Sequence, residues 1–202
     1  PYARQVDSIS SPIVGLTKHT LRRAQPESEL SNLLADIMVW AGKQYGEQPD
    51  LGIYNMGGIR ASLPAGDVTY GNVVDVAPFD NRISFSTLTG ADLMDLFRQI
   101  AARGGEGVSH GVALEITANG ELISARLNGK EIAPEALYRV ATIDYLAAGN
   151  DGLIAFKKKT NFRIPEGAGT EARYIITEYL RAERAAGRPV ERPVEGRIRI
   201  VR

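Results

Sequence analysis

Three short segments combine polar or aromatic residues with turn-forming residues, a pattern typical of ligand-binding loops. In the first, YNMGGIRASL, an apolar run delivers Asn55 into two glycines and then Arg60. Glycines let the backbone approach a ligand and expose its N–H groups, and a guanidinium offers a planar fork for a phosphate or carboxylate. A tight turn with a surface arginine explains the same residues equally well, because Gly-Gly-x-Arg alone is a weak signal.

The other two segments each add an aromatic ring. In VAPFDNRIS, Phe79 follows a stiffening proline and Asn81 belongs to a turn; the alternatives are a core anchor and a turn cap. In ATIDYLAAGNDGLIAF, Tyr145 precedes a glycine-rich loop that contains Asp151. A carboxylate there can accept hydrogen bonds from two vicinal sugar hydroxyls, although an Asp-Gly turn is a common alternative.

Together, these residues are the inventory that a nucleotide pocket needs. Aromatic faces suit a base, a carboxylate suits a ribose, and an arginine suits a phosphate. The combination, and not any single segment, therefore predicts a binding site for a nucleotide or nucleoside.

Composition argues against several other functions. The 202 residues carry 24 Lys+Arg and 24 Asp+Glu, and this zero net charge does not favour a nucleic-acid partner or an anionic membrane. Cysteine is absent and His19 and His110 are the only histidines, so we predict neither a metal site nor a catalytic residue in this chain. No apolar run is long enough for a membrane span. The opening at Pro1, without methionine, is interpreted as the start of an excised piece.

Helices and strands must position the candidate residues. Helical periodicity predicts helices over 27–45, 89–105 and 170–187, the second capped by Thr89 and ended by Gly104 and Gly105. Extended segments are predicted over 51–55, 73–79, 82–90, 134–146 and 192–202. Asn119-Gly120 predicts a hairpin over 111–132, with a second turn at Asn128-Gly129. The predicted class is α+β (mixed α/β), a single layered domain with mixed sheets and flanking helices.

The sequence also resembles a known family. The segments ESELSNLLADIM, NMGGIR, VAPFDNRISFSTLTG and ATIDYLAAGNDG occur in the order found in the C-terminal domain of the 5'-nucleotidase family. That family includes UDP-sugar hydrolases, 2',3'-cyclic-nucleotide phosphodiesterases and the cell-surface ecto-5'-nucleotidase. The similarity runs over nearly the whole chain.

The resemblance implies a division of labour between two domains. Residues 1–202 would be the C-terminal substrate-binding domain, which binds a nucleotide and rotates to bring its phosphate to the catalytic centre. Two divalent metal ions and the hydrolysis would belong to an N-terminal metallophosphatase domain in cis, absent from this chain. The resemblance further implies a periplasmic, cell-surface or secreted bacterial-type hydrolase, no cofactor in this chain, and no activity of this fragment alone.

The resemblance also assigns roles to individual residues. Phe79 and Tyr145 match the two rings that stack on the base, Asp151 matches the ribose carboxylate, and Arg60 lies near ribose and phosphate. The remaining matches are Asn55 and Asn81 near the sugar and base, Gly105 (or Gly104) at the base pocket, and Arg22 (or Arg23) at the phosphate. The sequence departs from the family at Tyr145, where phenylalanine is usual, and at Met56 and Asn150, where glycine is usual.

Two alternative functions remain open from the sequence. A relative that acts on a non-nucleotide substrate would share the fold but would not need both rings, Asp151 and Arg60. A non-catalytic interaction module would expose an apolar patch and have no pocket.

Overall fold

A computed structural model of the chain describes residues 11–202, so the first ten residues of the predicted 1–202 domain lie outside the described residues. Five α-helices occur in the described part: α1 Glu29–Ala41, α2 Tyr70–Val76, α3 Gly90–Ala102, α4 Asp144–Ala147 and α5 Ala172–Ala185. Short 3₁₀ helices occur at Gly42–Tyr45, Met56–Gly58 and Ile154–Lys158.

Eleven strands in the same part of the chain form three sheets. The strands are β1 Ile13–Thr17, β2 Leu51–Tyr54, β3 Gly66–Thr69, β4 Ile83–Thr89, β5 Gly107–Val108, β6 Val112–Thr117, β7 Leu122–Leu127, β8 Lys130–Glu131, β9 Leu137–Ile143, β10 Thr160–Arg163 and β11 Ile198–Val201. The sheet orders are β1-β3, β10-β4-β9-β2-β5 and β11-β6-β7-β8. The predicted fold class, mixed sheets with flanking helices, is therefore confirmed.

The central five-stranded sheet supplies the core of the fold. Strand β9 pairs antiparallel with β4 and parallel with β2. Helix α1 packs on β2, and every residue of β2 is buried. A Cβ at Gly52 would collide with the carbonyl oxygen of Ala35, so this glycine permits the close approach of helix and strand.

Several predicted elements are confirmed, with shorter bounds. Helix α1 begins after a capping box formed by Ser28 and Ser31, and Thr89 caps α3 by accepting a hydrogen bond from the backbone of Asp92 at 3.2 Å. The hairpin of β6 and β7 is also present, but a register shift and the bond from Thr117 N–H to the Glu121 carbonyl make its turn longer than two residues. Helix α5 lies within the predicted helix 170–187, and strand β11 lies within the predicted extended segment 192–202.

Two predicted extended segments are wrong in part. In the first, 73–79, residues 73–76 belong instead to helix α2, because Thr69 and Asn72 cap each other reciprocally and Val73 and Val76 bury one face. The β-branched valines suggested a strand, but capping and burial outweigh that preference. The second, 134–146, ends as a strand at Ile143 and continues as the helical turn α4.

Candidate functional site

The described residues include a cleft of about 300 Å³, a size at the lower end of small-molecule sites. Its lining contains six of the eight predicted site residues. The full lining is Asn55, Gly57, Gly58, Arg60, Phe79, Asn81, Arg103, Tyr145 and Asp151.

The topology of the central sheet explains why distant segments meet at this cleft. Strands β2 and β9 run parallel, so their C-terminal ends lie at the same edge of the sheet. Asn55 directly follows β2, and Tyr145 lies on α4, directly after β9. The loop after α4 then returns Asp151 to the same edge, where it contacts both residues.

Asp151 is held by two neutral donors. Its Oδ2 accepts a hydrogen bond from Asn55 Nδ2, and its Oδ1 accepts one from the Tyr145 hydroxyl, both at 2.9 Å. A carboxylate has about four lone-pair sites, so acceptor capacity is left for a ligand. Asp151 adopts a φ of 56°, a conformation that Asp tolerates in turns, and a Cβ at Gly58 would lie 2.5 Å from the Asn55 amide oxygen. The glycine therefore makes room for the asparagine that holds the carboxylate.

Phe79 and Tyr145 present exposed rings to the cleft. The exposed fraction is 48% for Phe79 and 39% for Tyr145, so Phe79 is not the core anchor considered as an alternative from the sequence. A tyrosine hydroxyl is protonated at neutral pH, and the hydrogen bond to Asp151 raises the pKa of the Tyr145 hydroxyl further. Two exposed aromatic rings beside one carboxylate give the cleft both apolar faces and a polar end.

The loop that carries Phe79 and Asn81 is fastened by the start of helix α5. Arg173 forms an ion pair with Asp80 and donates to the Pro78 carbonyl at 3.2 Å. The backbone N–H of Ala172 donates to the Asn81 carbonyl at 2.8 Å. These bonds on both sides of Phe79 restrain the loop, although the ring itself remains exposed.

Arginines line a second cleft that adjoins the first. Arg60 belongs to both, and the second cleft, of about 390 Å³, is also lined by Arg22 and Arg23. Arg22 therefore lies beside Arg60, outside the lining that contains the aromatic rings. Arg23 donates to the Met56 carbonyl at 3.0 Å, so it also braces the turn after Asn55. Three guanidinium groups around one cleft favour an anion.

Gly105 lies outside the lining of the aromatic cleft. Its φ is 112°, and a Cβ there would collide with the Pro26 carbonyl oxygen, so close packing alone explains the glycine. Its predicted contact with a base stays a prediction.

Sequence reasoning missed two residues at the cleft, Arg103 and Glu106. Arg103 belongs to the lining, and its Nη2 lies 3.9 Å from Asp151 Oδ2. Glu106 is fully buried behind it and accepts a bond from Arg103 Nε at 2.6 Å. Burial raises the pKa of the Glu106 carboxyl, and the bond to Glu106 raises the pKa of the Arg103 guanidinium. The Arg-x-x-Glu spacing around two glycines was the available sequence signal.

Residues 11–202 contain no group of three or more His, Cys, Asp or Glu side chains arranged to hold a metal ion. His19 and His110 each contact a glutamate at 2.8 Å, Glu29 and Glu195 respectively. The family resemblance places its two metal ions in another domain, and the described residues offer no ligand set for them. Across the same residues, no helix combines the length and the apolar character needed to cross a bilayer.

Fold and cleft together define a class: a mixed α/β domain with a cleft of small-molecule size between loops at one sheet edge. The model of the family described as "5'-nucleotidase, C-terminal domain" matches residues 11–158. The chain belongs to this family, as the four ordered segments predicted.

Individual relatives agree with this assignment. The chain is 31% identical over 189 residues to the trifunctional nucleotide phosphoesterase protein YfkN of Bacillus subtilis, covering 87% of this chain and 12% of that protein. It is 33% identical over 107 residues to a 5'-nucleotidase of Vibrio vulnificus, covering 51% of this chain and 19% of that protein.

The fold also matches a solved structure. A 5'-nucleotidase precursor from Thermus thermophilus superposes with a TM-score of 0.83 at 25% identity, covering 99% of this chain and 41% of that one. The chain thus spans less than half the length of these relatives.

Proposed function

We propose that this chain is the nucleotide-binding domain of a metal-dependent phosphoester hydrolase of the 5'-nucleotidase type. The base stacks between Phe79 and Tyr145, and Asp151 accepts hydrogen bonds from the ribose. The observation that carries the proposal is that two exposed rings and a carboxylate with spare acceptor capacity line one cleft. Asn55 holds the carboxylate, and Asn81 offers an amide to the base.

The phosphate end of the ligand lies toward Arg60 in this proposal. Arg60 is shared by the aromatic cleft and the arginine-lined cleft, so a nucleotide whose base and ribose occupy the first can extend its phosphate toward Arg22 in the second. A guanidinium binds phosphate oxygens through paired N–H donors. The two clefts therefore suit the two chemically different ends of one nucleotide.

Hydrolysis belongs to another domain in this proposal. An N-terminal metallophosphatase domain in cis, outside residues 1–202, would hold two divalent metal ions and act on the phosphate that this domain presents. Support comes from the family membership, the partial coverage of longer relatives, and the lack of a suitable ligand cluster in residues 11–202. The 202-residue chain alone is then inactive on phosphate esters, and the whole protein is periplasmic, cell-surface or secreted.

Calorimetry with adenosine and AMP tests the proposed cleft. The double variant Phe79→Ala/Tyr145→Ala removes both rings, and base–aromatic stacking contributes about 1–3 kcal/mol per base, so we expect adenosine binding to fall below detection. Phe162→Ala is the matched control, because Phe162 is 45% exposed and lies outside the cleft lining.

Unchanged adenosine affinity in the double variant would contradict the stacking role. Metal-dependent hydrolysis of AMP by the purified chain would contradict the assignment of catalysis to another domain.

A further inference from the structure

Glu106 is a buried carboxylate directly behind the cleft. It follows the glycines that end α3 and precedes β5, and none of its side chain is exposed. A buried charge is costly unless it is paired and hydrogen-bonded. Oε1 accepts from Arg103 Nε at 2.6 Å, and Oε2 accepts from the backbone N–H of Met56. Both oxygens therefore bond to segments that form the cleft.

The first of these segments ends in the guanidinium of Arg103. Because Nε is bonded to Glu106, the plane of the guanidinium is fixed and its terminal nitrogens remain available to the cleft. Nη2 lies 3.9 Å from Asp151 Oδ2, close enough to interact electrostatically with the carboxylate without a direct hydrogen bond. Arg103 thus adds a positive charge beside the proposed ribose acceptor.

The second segment is the turn Met56–Gly58. Glu106 holds the N–H of Met56, and Arg23 holds its carbonyl at 3.0 Å. This turn begins after Asn55, whose side chain donates to Asp151 Oδ2. Glu106 is therefore linked to Asp151 by two routes, one through the side chain of Arg103 and one through the backbone beside Asn55.

We propose that Glu106 is a positioning residue of the cleft, which makes Arg103 and Asn55 converge on Asp151 and so sets the affinity for a sugar with free hydroxyls. This role rests on the proposed nucleotide-binding function and deepens it. Glu106 does not touch the ligand. It acts on the ligand only through the orientation and charge environment of the Asp151 carboxylate.

The test measures adenosine binding to the 202-residue chain by calorimetry for Glu106→Gln, Arg103→Met and the double variant. A glutamine has one acceptor oxygen and one donor nitrogen, so it cannot accept from both Arg103 and Met56. We expect Glu106→Gln and Arg103→Met each to weaken binding about tenfold, the scale of one hydrogen bond to a charged group. We expect the double variant to lie within about twofold of Glu106→Gln, because coupled residues are not additive.

A second ligand separates positioning from a general structural effect. With 2',3'-dideoxyadenosine, which lacks the vicinal 2'- and 3'-hydroxyls of the sugar, the cost of Glu106→Gln should vanish. The control is Arg98→Met, which removes an exposed ion pair with Asp95 on the same helix and outside the cleft lining. If Glu106→Gln does not fold, Arg103→Met, at a partly exposed side chain, still gives the same comparison of the two ligands.

Four outcomes are decisive. Wild-type affinity in Glu106→Gln and Arg103→Met, equal losses with both ligands, or additive losses in the double variant would each overturn the positioning role while leaving the proposed function intact. A wild-type chain that binds neither adenosine nor AMP would instead overturn the proposed function, and the positioning role with it.

Discussion

Two arginine–carboxylate clusters of this molecule differ in how much hydrogen-bonding capacity they leave unused. In the first, Arg197 is 2% exposed and bonds Asp36 with both terminal nitrogens, at 2.7 and 3.0 Å, and Glu195 through Nε at 2.7 Å. It also donates to the Val108 carbonyl at 2.9 Å. This cluster, Arg197–Asp36–Glu195, joins α1, β5 and the segment before β11, and its guanidinium faces protein on all sides.

The cluster at the cleft, Arg103–Glu106–Asp151, is buried at one end and exposed to solvent at the other. We call it the open cluster, and Arg197–Asp36–Glu195 the closed cluster. Glu106 is fully buried, but Arg103 is 38% exposed and Asp151 18% exposed. The closed end fixes geometry, and the open end keeps donors and acceptors for a ligand. If the cleft binds the proposed ligand, its cluster can take part because its network reaches the surface with unused hydrogen-bonding groups, which the Arg197–Asp36–Glu195 cluster does not offer.

The largest expected effect is on the closed cluster. Arg197→Met leaves Asp36 and Glu195 without their buried partner, and breaking a buried pair on one side costs about 3–5 kcal/mol. Urea denaturation should show this loss in the free energy of unfolding, whereas the adenosine affinity of the folded protein should stay unchanged. Arg199→Met is the control, because Arg199 forms an exposed pair with Glu115 and such pairs contribute at most about 1 kcal/mol. Equal losses of unfolding free energy in Arg197→Met and Arg199→Met would contradict the view that the buried cluster stabilises the fold more than an exposed pair does.

The sequence predicted the open half of the cleft better than its closed half. Asn55, Tyr145 and Asp151 were recognisable because they follow apolar runs in turn-rich segments, and parallel strands carry such residues to one edge. Glu106 was not, because its role depends on contact with Met56, fifty positions away along the chain. The local Arg-x-x-Glu spacing is compatible with an ion pair, but it does not indicate that the glutamate is buried.

Helix α2 is a second feature that local sequence did not predict. The valines of α2 favour a strand by local preference, yet the reciprocal cap at Thr69 and burial of Val73 and Val76 produce a helix. Patterns with long, regular periodicity, such as those of α1, α3 and α5, predicted their elements correctly. Short elements depend on tertiary contacts that no local window contains.

A smaller effect is expected at the open cluster from Tyr145→Phe. This change keeps the stacking ring and removes only the hydroxyl that donates to Asp151 Oδ1. Loss of one such bond weakens adenosine binding by about 1 kcal/mol, and calorimetry should show no loss with 2',3'-dideoxyadenosine. The stability of the fold should hardly change, in contrast to Arg197→Met.

Tyr138→Phe is the matched control for that experiment. Its hydroxyl accepts from the Ala133 backbone at 3.0 Å, outside the cleft. A Tyr145→Phe variant that loses affinity equally for both ligands would show that the hydroxyl supports the ring and not the carboxylate.

The smallest expected effect is on the pH dependence of stability. Two arginine-paired glutamates, Glu47 and Glu106, should contribute to it with opposite signs. Hydrogen bonds from Arg139 lower the pKa of Glu47 below 4.5, so its contribution to stability is present above pH 4.5 and is lost as pH falls through the lowered pKa. Burial raises the pKa of Glu106 above 4.5, so its contribution is present below pH 4.5 and is lost as pH rises through the raised pKa.

Urea denaturation from about pH 3 to 7 can measure this difference in sign. As pH falls, the stability advantage of wild type over Glu47→Gln should shrink, and the advantage of wild type over Glu106→Gln should grow. Glu131→Gln, at an exposed position of β8, is the control. Parallel slopes of the two stability differences against pH would mean that the charged form of Glu106 is stabilised as fully as that of Glu47. The cleft cluster would then satisfy its charges internally, as the Arg197–Asp36–Glu195 cluster does. Opposite slopes would show that burial disfavours the charged form of Glu106, whereas hydrogen bonds from Arg139 favour the charged form of Glu47.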